Sequence, residues 1–446
     1  MASDLLSIGA SGARAARGAL EVTANNIANA STDGYVRRSV RIEEVSGGSI
    51  AGRGSDIAVS GSRVAEVRRN ADSFRQAEMR RTQADLQRSN VELAGLQNIE
   101  SAVEQSDIFG SIVEFEASLQ QLAGDPTDSA RRAAVIAEAE TLASKFNITA
   151  GSLTSVGDGL RFNAEADVGN LNTYGAELAR VNLRLARAGT GSNDQAALLD
   201  QRDNLLERMS AFASITTTFA TDGTVAVGVG SNPPIPFVNG GTAGVMSSAL
   251  AADGTLSFAI NGQAVTPGSG SLTGASLALG ELADMSARLD SAALSIASTI
   301  NAAQANGVAL DGSTGQPIFS GTTASTLTVS MTSGAGLATA PAGSPANERN
   351  QQNLQDMRDA LVSANPSAEV NSILFDVSSK VAGRTVTQGA LETIASSARI
   401  ALEEQSGVDL DNEAANLIRY QQAFQASGRA MQVASDIFDT LLGIGR

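Results

Sequence analysis

ASDLLSIGASGARAARGALEVTANNIAN, residues 2–29, and LDNEAANLIRYQQAFQASGRAMQVASDIFDTLLG, residues 410–443, decide how this chain folds. In the first stretch Leu6, Ala13, Leu20 and Ile27 recur every seven residues, and Ala10, Ala16 and Ala24 fill much of the same stripe. In the second, Leu410, Leu417, Phe424, Met431 and Phe438 keep the spacing, while Tyr420, Ala434 and Leu441 widen the face. A seven-residue apolar repeat lines one side of a helix, and that side needs a partner helix to leave water. Helices of about 22 and 33 residues would span about 33 and 50 Å, longer than an average globular helix. The front stretch is rich in small residues (Gly9, Gly12, Ala15, Gly18, Ala19), which permit close approach but bury little apolar area. The two ends therefore predict a coiled-coil-like pair that gains further packing from neighbouring copies.

Working inward, Asn29-Ala30-Ser31-Thr32-Asp33-Gly34 is a run of turn formers that ends the first helix. Extended residues follow: Val40 and Ile42 alternate with Arg41 and Glu43, then Ile57, Val59, Val64 and Val67 surround Gly-rich turns. Helical spacing returns in three sets, Leu86-Leu93-Leu96-Ile99-Val103, Val168-Leu171-Leu178-Val181-Leu185 and Leu198-Leu205-Met209-Phe212. The period then falls to two. Phe219 leads into Asp222-Gly223 and Val225, Val227 and Val229; Leu256, Phe258 and Ile260 lead into Asn261-Gly262, and Asp-Gly or Asn-Gly between alternating apolar runs predicts hairpins. Leu282, Met285, Leu289, Ala293, Ile296 and Ile300 resume the helical period. The expected fold is mainly α: terminal helices from 1–45 and 405–446, an elongated helical-bundle body from 46–212 and 275–404, and a small β domain inserted at 213–274.

Composition narrows the function classes. The formal charge of −16 disfavours nucleic acid, whose phosphates need a concentrated cationic surface. The chain contains no Cys and no His, which removes disulfides, thiolate nucleophiles, the commonest general base and the usual transition-metal ligands. No stretch of about 18 apolar residues occurs, and the N-terminal residues lack a basic region followed by an apolar run, so neither a membrane span nor a cleavable signal is expected. Gly268-Ser269-Gly270-Ser271-Leu272-Thr273-Gly274 has its third glycine one residue too far along for a dinucleotide loop and is read as a hinge into a helix. Asp311-Gly312-Ser313-Thr314-Gly315 lacks the alternating ligands and closing Glu of a calcium loop and is read as a tight turn. Neither Lys145 nor Lys380, the two lysines, follows a serine at the spacing of a Ser-x-x-Lys nucleophile. Asp409 and Asp411 sit where negative charge favours the start of the last helix. No catalytic, cofactor-binding or metal-binding residue is assigned.

The run from Leu20 to Tyr35 resembles the N-terminal signature of the bacterial flagellar rod, hook and hook-associated proteins. The run Ser406 to Ala426, with Glu413-Ala414-Ala415-Asn416-Leu417 leading into Gln422-Ala423-Phe424-Gln425-Ala426, is similar to the hook-filament junction branch of that superfamily. Leu198-Leu199-Asp200-Gln201-Arg202-Asp203, Asn306-Gly307 and Leu310-Asp311-Gly312-Ser313-Thr314-Gly315 extend the likeness over most of the chain. Two positions depart from the pattern: Asp33 stands where the family usually has Pro, and Val36-Arg37 where Ser-Arg is common. The resemblance implies a structural, non-enzymatic subunit without cofactor, exported unfolded by the flagellar type III route and assembled outside the cell at the hook tip as a ring or short helical segment of the same chain. Its implied partners are the hook protein, the next hook-associated protein and an export chaperone at the C-terminal helix, with no nucleic acid and no membrane. The implied assembly seam comprises Leu6, Ala13, Leu20 and Ile27 with Leu410, Leu417, Tyr420, Phe424, Met431, Phe438 and Leu441, joined by Asn25, Asn26 and Asn29 at the turn. Ordinary helix ending is the alternative reading of those asparagines. A hook or distal rod subunit, or an adhesin acting through the β insertion, remains open at this point.

Overall fold

The structure, a computed structural model, describes residues 2–32, 34–45, 61–230 and 233–444, with side chains from residue 5 to residue 440 of these. Asp33, Ile57 and Val59 and the side chain of Leu441 therefore lie outside what is described. Helix α1 (Ala2–Ala28) leads to the hairpin of β1 (Arg38–Val45) and β2 (Gly61–Arg69), then to α2 (Ser73–Glu104), α3 (Ile108–Gly124), α4 (Ser129–Leu185) and α5 (Asn193–Ser210). Strands β3 (Ile215–Phe219), β4 (Val225–Val229), β5 (Ile235–Asn239) and β6 (Thr242–Ala243) form one antiparallel sheet, and β7 (Met246–Leu250), β8 (Leu256–Ile260) and β9 (Gln263–Val265) a second. After α6 (Gly270–Ala305), two short ribbons pair β10 (Gly307–Val308) with β13 (Ala340–Pro341) and β11 (Phe319–Ser320) with β12 (Thr328–Val329). Helices α7 (Gln352–Ala364), α8 (Pro366–Ser406) and α9 (Leu410–Ile444) complete the chain. The mainly α class with paired terminal helices and a β insertion is the one found.

The hairpins form where the turn residues stand. Gly223 has φ 87°, and Asn261 and Gly262 have φ 50° and 81°, so β8 and β9 are joined by two left-handed residues of the kind a tight hairpin requires. Asp222 and Asp253 accept hydrogen bonds from Thr224 and Thr255 in their own turns, at 2.7 and 2.6 Å to the hydroxyls. Those acids shape hairpins and are already engaged there.

Residue contacts divide the chain into two compact units: Met1–Ala84, Asn170–Val245 and Glu392–Arg446, and Asp85–Gly169 with Met246–Leu391. Helices α2, α4 and α8 each run from one unit into the other, and the β segment is shared, β3–β6 falling in the first and β7–β9 in the second. These boundaries do not coincide with the terminal, body and β domains expected from composition, because a helix of 57 residues such as α4 contributes to two cores and sequence periodicity shows only local faces.

The second unit is organised around α6, whose Leu282, Met285, Leu289, Ala293, Ile296 and Ile300 are all buried. Gly274 permits close packing there, since an added Cβ would lie within 3.0 Å of Val91 and closer still to the Arg88 carbonyl. Arg132 is buried and donates to the carbonyls of Pro126, Gly334 and Leu337 and to the Thr339 hydroxyl, so one guanidinium gathers the irregular segment after α6. Asp311 accepts from the Ser313 hydroxyl and N–H, the tight turn expected of that motif.

Candidate functional site

In the first unit α1 and α9 lie antiparallel: Gly9 faces Met431, Gly12 faces Ser427, and Asn26 meets Glu413. The seam is built from small residues. A Cβ added at Gly9 would lie 2.7 Å from Met431 Cγ and 3.2 Å from the Ser427 carbonyl, and one at Gly12 would lie 2.8 Å from Ser427 Oγ. On α1 the buried face is Ala13, Ala15, Ala16, Ala19, Val22, Thr23 and Asn26; on α9 it includes Ala434 and Glu413.

Of the residues implied as an assembly seam, Ala13 and Asn26 are buried within the chain, and Leu20, Asn29, Leu417, Tyr420 and Met431 are half-buried. Leu6 is 47% exposed, Ile27 36%, Leu410 54%, Phe424 43% and Phe438 53%, and Asn25 is exposed as well. Leu5, Ile8, Ile418, Val433 and Ile437 add to the exposed apolar side chains of the two helices. The close approach of the backbones places small residues of α1 in the intrachain seam and leaves Leu6, Ile27, Leu410, Phe424 and Phe438 exposed.

A buried polar lattice closes the base of this pair. Asn26 Nδ2 donates to the Arg38 carbonyl at 2.8 Å and to Glu413 Oε2 at 3.1 Å. Asn26 Oδ1 accepts from the Arg38 N–H at 3.0 Å and the Tyr35 hydroxyl at 2.9 Å. Both donors and both lone pairs of the amide are thus used. Glu413, with a side chain 1% exposed, takes Arg37 on Oε1 through Nε at 2.8 Å and a terminal nitrogen at 2.7 Å, while the Arg37 N–H donates to the Ser406 carbonyl. Glu413 is in the first turn of α9, where its charge also meets the positive end of the helix dipole. Asp409 accepts from the N–H groups of Asp411 and Asn412 and caps that helix, as its position suggested.

The lattice continues through Arg38, which bonds Asp200 at 3.0 Å, and Arg69, which bonds Asp200 at 2.7 Å and Asp203 at 3.0 Å. Arg202 and Gln76 complete the shell of Asp203 at 2.6 and 3.0 Å. Burial raises Asp203, but Arg202 and Arg69 outweigh it and hold the carboxyl below its ordinary value. At Asp200 burial prevails over Arg69 and Arg38 and pushes the carboxyl up. The α1–β1 turn, the end of β2, α5 and the start of α9 are therefore locked by charge-assisted bonds.

Sequence reasoning assigned a role to Asn26 but none to Glu413, Arg37, Arg38, Arg69, Asp200 or Asp203. The available signal, for the three acids, was their presence in the two stretches that carried the resemblance, Leu198–Asp203 and Ser406–Ala426. Asn25 and Asn29 each donate the side-chain amide to the carbonyl four residues back, at 2.9 Å.

The helical core bears a family signature. Residues 93–319 match the family described as the flagellar hook-associated protein FlgK helical domain, slightly more than half of the chain. The chain belongs to the flagellar hook-associated protein FlgK family. The two ends match models shared more widely: residues 6–35 the flagella basal body rod protein, and residues 401–444 the C-terminal region of the flagellar basal body rod FlgEFG protein. Flagellar hook-associated protein 1 of Bacillus subtilis is 23% identical over 97% of this chain and 96% of its own length. Its counterpart from Salmonella typhimurium is 29% identical over 50% of this chain, a match that spans 40% of that relative. Among solved structures, the flagellar hook junction protein FlgK from Burkholderia pseudomallei shares the fold with a TM-score of 0.50 at 21% identity, over 55% of this chain and 46% of that one. No helix among the described residues is long and apolar enough to cross a membrane.

Proposed function

We propose that this chain is a structural subunit of the flagellar hook-filament junction, assembling with copies of itself between the hook protein and the next hook-associated protein. The observation that carries the reading is the α1–α9 pair: closed inside by small residues and a buried polar lattice, it presents Leu6, Phe424, Phe438 and other apolar side chains outward. So many large apolar side chains left exposed on two long helices mark a protein contact, and FlgK-family membership supplies the neighbours that would cover them. The role is mechanical, carried by packing without catalysis or cofactor. Export ahead of assembly, with a chaperone on α9, and location at the hook tip outside the cell belong to the same proposal.

Cells lacking the gene are expected to make hooks of normal length without filaments and to shed flagellin as monomer, seen by electron microscopy and by flagellin in the medium. Missing hooks would instead move the chain to the rod or hook, whose models match its two ends. Phe424→Ala should leave export intact and reproduce the filament defect, since removing a large apolar side chain from a buried contact costs about 3–5 kcal/mol. Normal motility would remove Phe424 from the seam.

A further inference from the structure

Helix α8 loses its core partway along. Val370, Ile373 and Val377 are buried in the second unit, but no residue from 378 to 391, where that unit ends, is buried. Val381 and Leu391 are the half-buried apolar side chains of this stretch, and Val386 is 76% exposed. The local sequence is also poorly suited to a helix. Glycine, present at 383 and 389, is the weakest helix former after proline, and Val381, Thr385, Val386 and Thr387 are β-branched. Packing does not call for the glycines, since a Cβ added at either would meet nothing within 4 Å. Thr385 and Thr387 turn their hydroxyls back onto the Val381 and Gly383 carbonyls, at 2.8 and 3.0 Å, a bond that slightly weakens a helix.

Polar side chains of α2 and α6 hold the stretch instead. Ser378 donates to Glu100 at 2.5 Å, Lys380 pairs with Glu281, Arg384 Nε meets Glu92 Oε1 at 2.9 Å, and Gln388 donates to Asn90 at 3.2 Å. Lys380 and Arg384 are exposed, and ion pairs open to water add little. Glu92 differs from the other partners. Its side chain is 6% exposed, and the charges around it are Arg384, Arg88 of its own helix and Glu281 of α6. Burial lifts this carboxyl above its ordinary value over the opposing charges of Arg384 and Arg88, so the ionised form weakens the closed arrangement and hydration on opening relieves it. A helical stretch with few buried apolar side chains and exposed bonds opens locally before its domain unfolds. We propose that residues 378–391 form a proton-sensitive latch: the stretch unwinds from α2 and α6 while the rest of the second unit stays folded, more often with Glu92 ionised and less often with Glu92 protonated. A carboxyl that binds its proton more readily in the closed state than in water favours closure as pH falls through its raised value, and that advantage is lost as pH rises above it. Opening uncovers the faces of α2 and α6 that carry Asn90, Glu92 and Glu281, so one proton governs access to them.

Hydrogen–deuterium exchange of the full purified chain, read by mass spectrometry and corrected for the intrinsic exchange rate at each pH, tests the latch. At pH 7 the amides of residues 378–391 should be protected at least about tenfold less than those of residues 370–377 in the same helix, the signature of local rather than global opening. Gly383→Ala and Gly389→Ala should each raise protection of the stretch about fivefold, the difference in helix preference between the two residues. Glu92→Gln keeps an acceptor for Arg384 without the charge; it should raise protection at pH 7 and remove the further gain that the unaltered chain shows at pH 5. Equal protection of 378–391 and 370–377 would overturn the local opening. Protection of the stretch in Glu92→Gln that equals or falls below that of the unaltered chain, with 370–377 unchanged, would overturn the control by Glu92. The unaltered chain carries the test even where a variant misfolds: protection of 378–391 relative to 370–377 must rise from pH 7 to pH 5, and a ratio that holds or falls sinks the latch.

Discussion

Asn26 is the residue on which the base of the terminal pair turns. Its amide replaces a strand neighbour for Arg38, answering both the N–H and the carbonyl of that residue, and gives its remaining bonds to Tyr35 and Glu413. Asn26→Ala would leave these groups unanswered in a buried site, so a loss of about 1–3 kcal/mol in unfolding free energy is expected, measured by urea titration of the purified chain. A change under about 0.5 kcal/mol, the range of an ordinary surface substitution, would mean that the lattice closes without it. Nothing in the sequence set Asn26 apart from Asn25 and Asn29, because all three share the local chemistry of a helix end. The difference is tertiary: Asn26 bonds a residue 387 positions away, and Arg38 and Arg69 reach Asp200 across 162 and 131. Pairings of that range leave no periodic trace.

At the scale of the element, the heptads of α1 and α9 correctly announced two long helices that belong together, and the helices found have 27 and 35 residues. Which face meets which was less legible. Large apolar residues at heptad spacing read as the seam, yet Gly9 and Gly12 meet Met431 and Ser427 at distances that leave no room for a larger side chain on α1, so small residues that looked like poor stabilisers form much of the intrachain contact. Gly9→Leu should therefore cost about 1–3 kcal/mol through overpacking against Met431 and Ser427, followed as a lowered midpoint of helix melting by circular dichroism. Gly428 on α9 has open space around it, and Gly428→Ala should raise stability by about 0.5–1 kcal/mol. Equal responses at the two positions would refute a close-packed seam. The hairpins were legible down to their turns because Asp-Gly and Asn-Gly state a backbone conformation locally, whereas the 57 residues of α4 were seen only as a short amphipathic face.

Across the whole molecule a minority of carboxylates are shifted, in two opposed directions. Burial raises Glu92, Glu116 and Asp167 above their ordinary values, while hydroxyl and backbone bonds from Thr127, Thr224, Thr255 and Ser313 hold Asp125, Asp222, Asp253 and Asp311 below theirs. As pH falls from neutrality, the raised groups take up protons in the folded chain before the unfolded chain does, so stability grows, and relief of the −16 charge acts in the same direction. Below about 4, the ordinary carboxylate value, the unfolded chain binds protons that the lowered aspartates refuse, and stability is lost down to their folded values. Denaturant midpoints should thus peak on the acid side of neutrality; a steady decline from pH 7 to pH 5 would contradict the assignment. The pairing of the first helix with the last also bears on synthesis. Because the bond from Asn26 to Glu413 joins α1 to α9, a ribosome must add the 387 residues that separate them before that bond exists. A chain cut short before α9 would leave Asn26 and Arg37 without the Glu413 carboxylate, so the pair closes only once its last helix has been made.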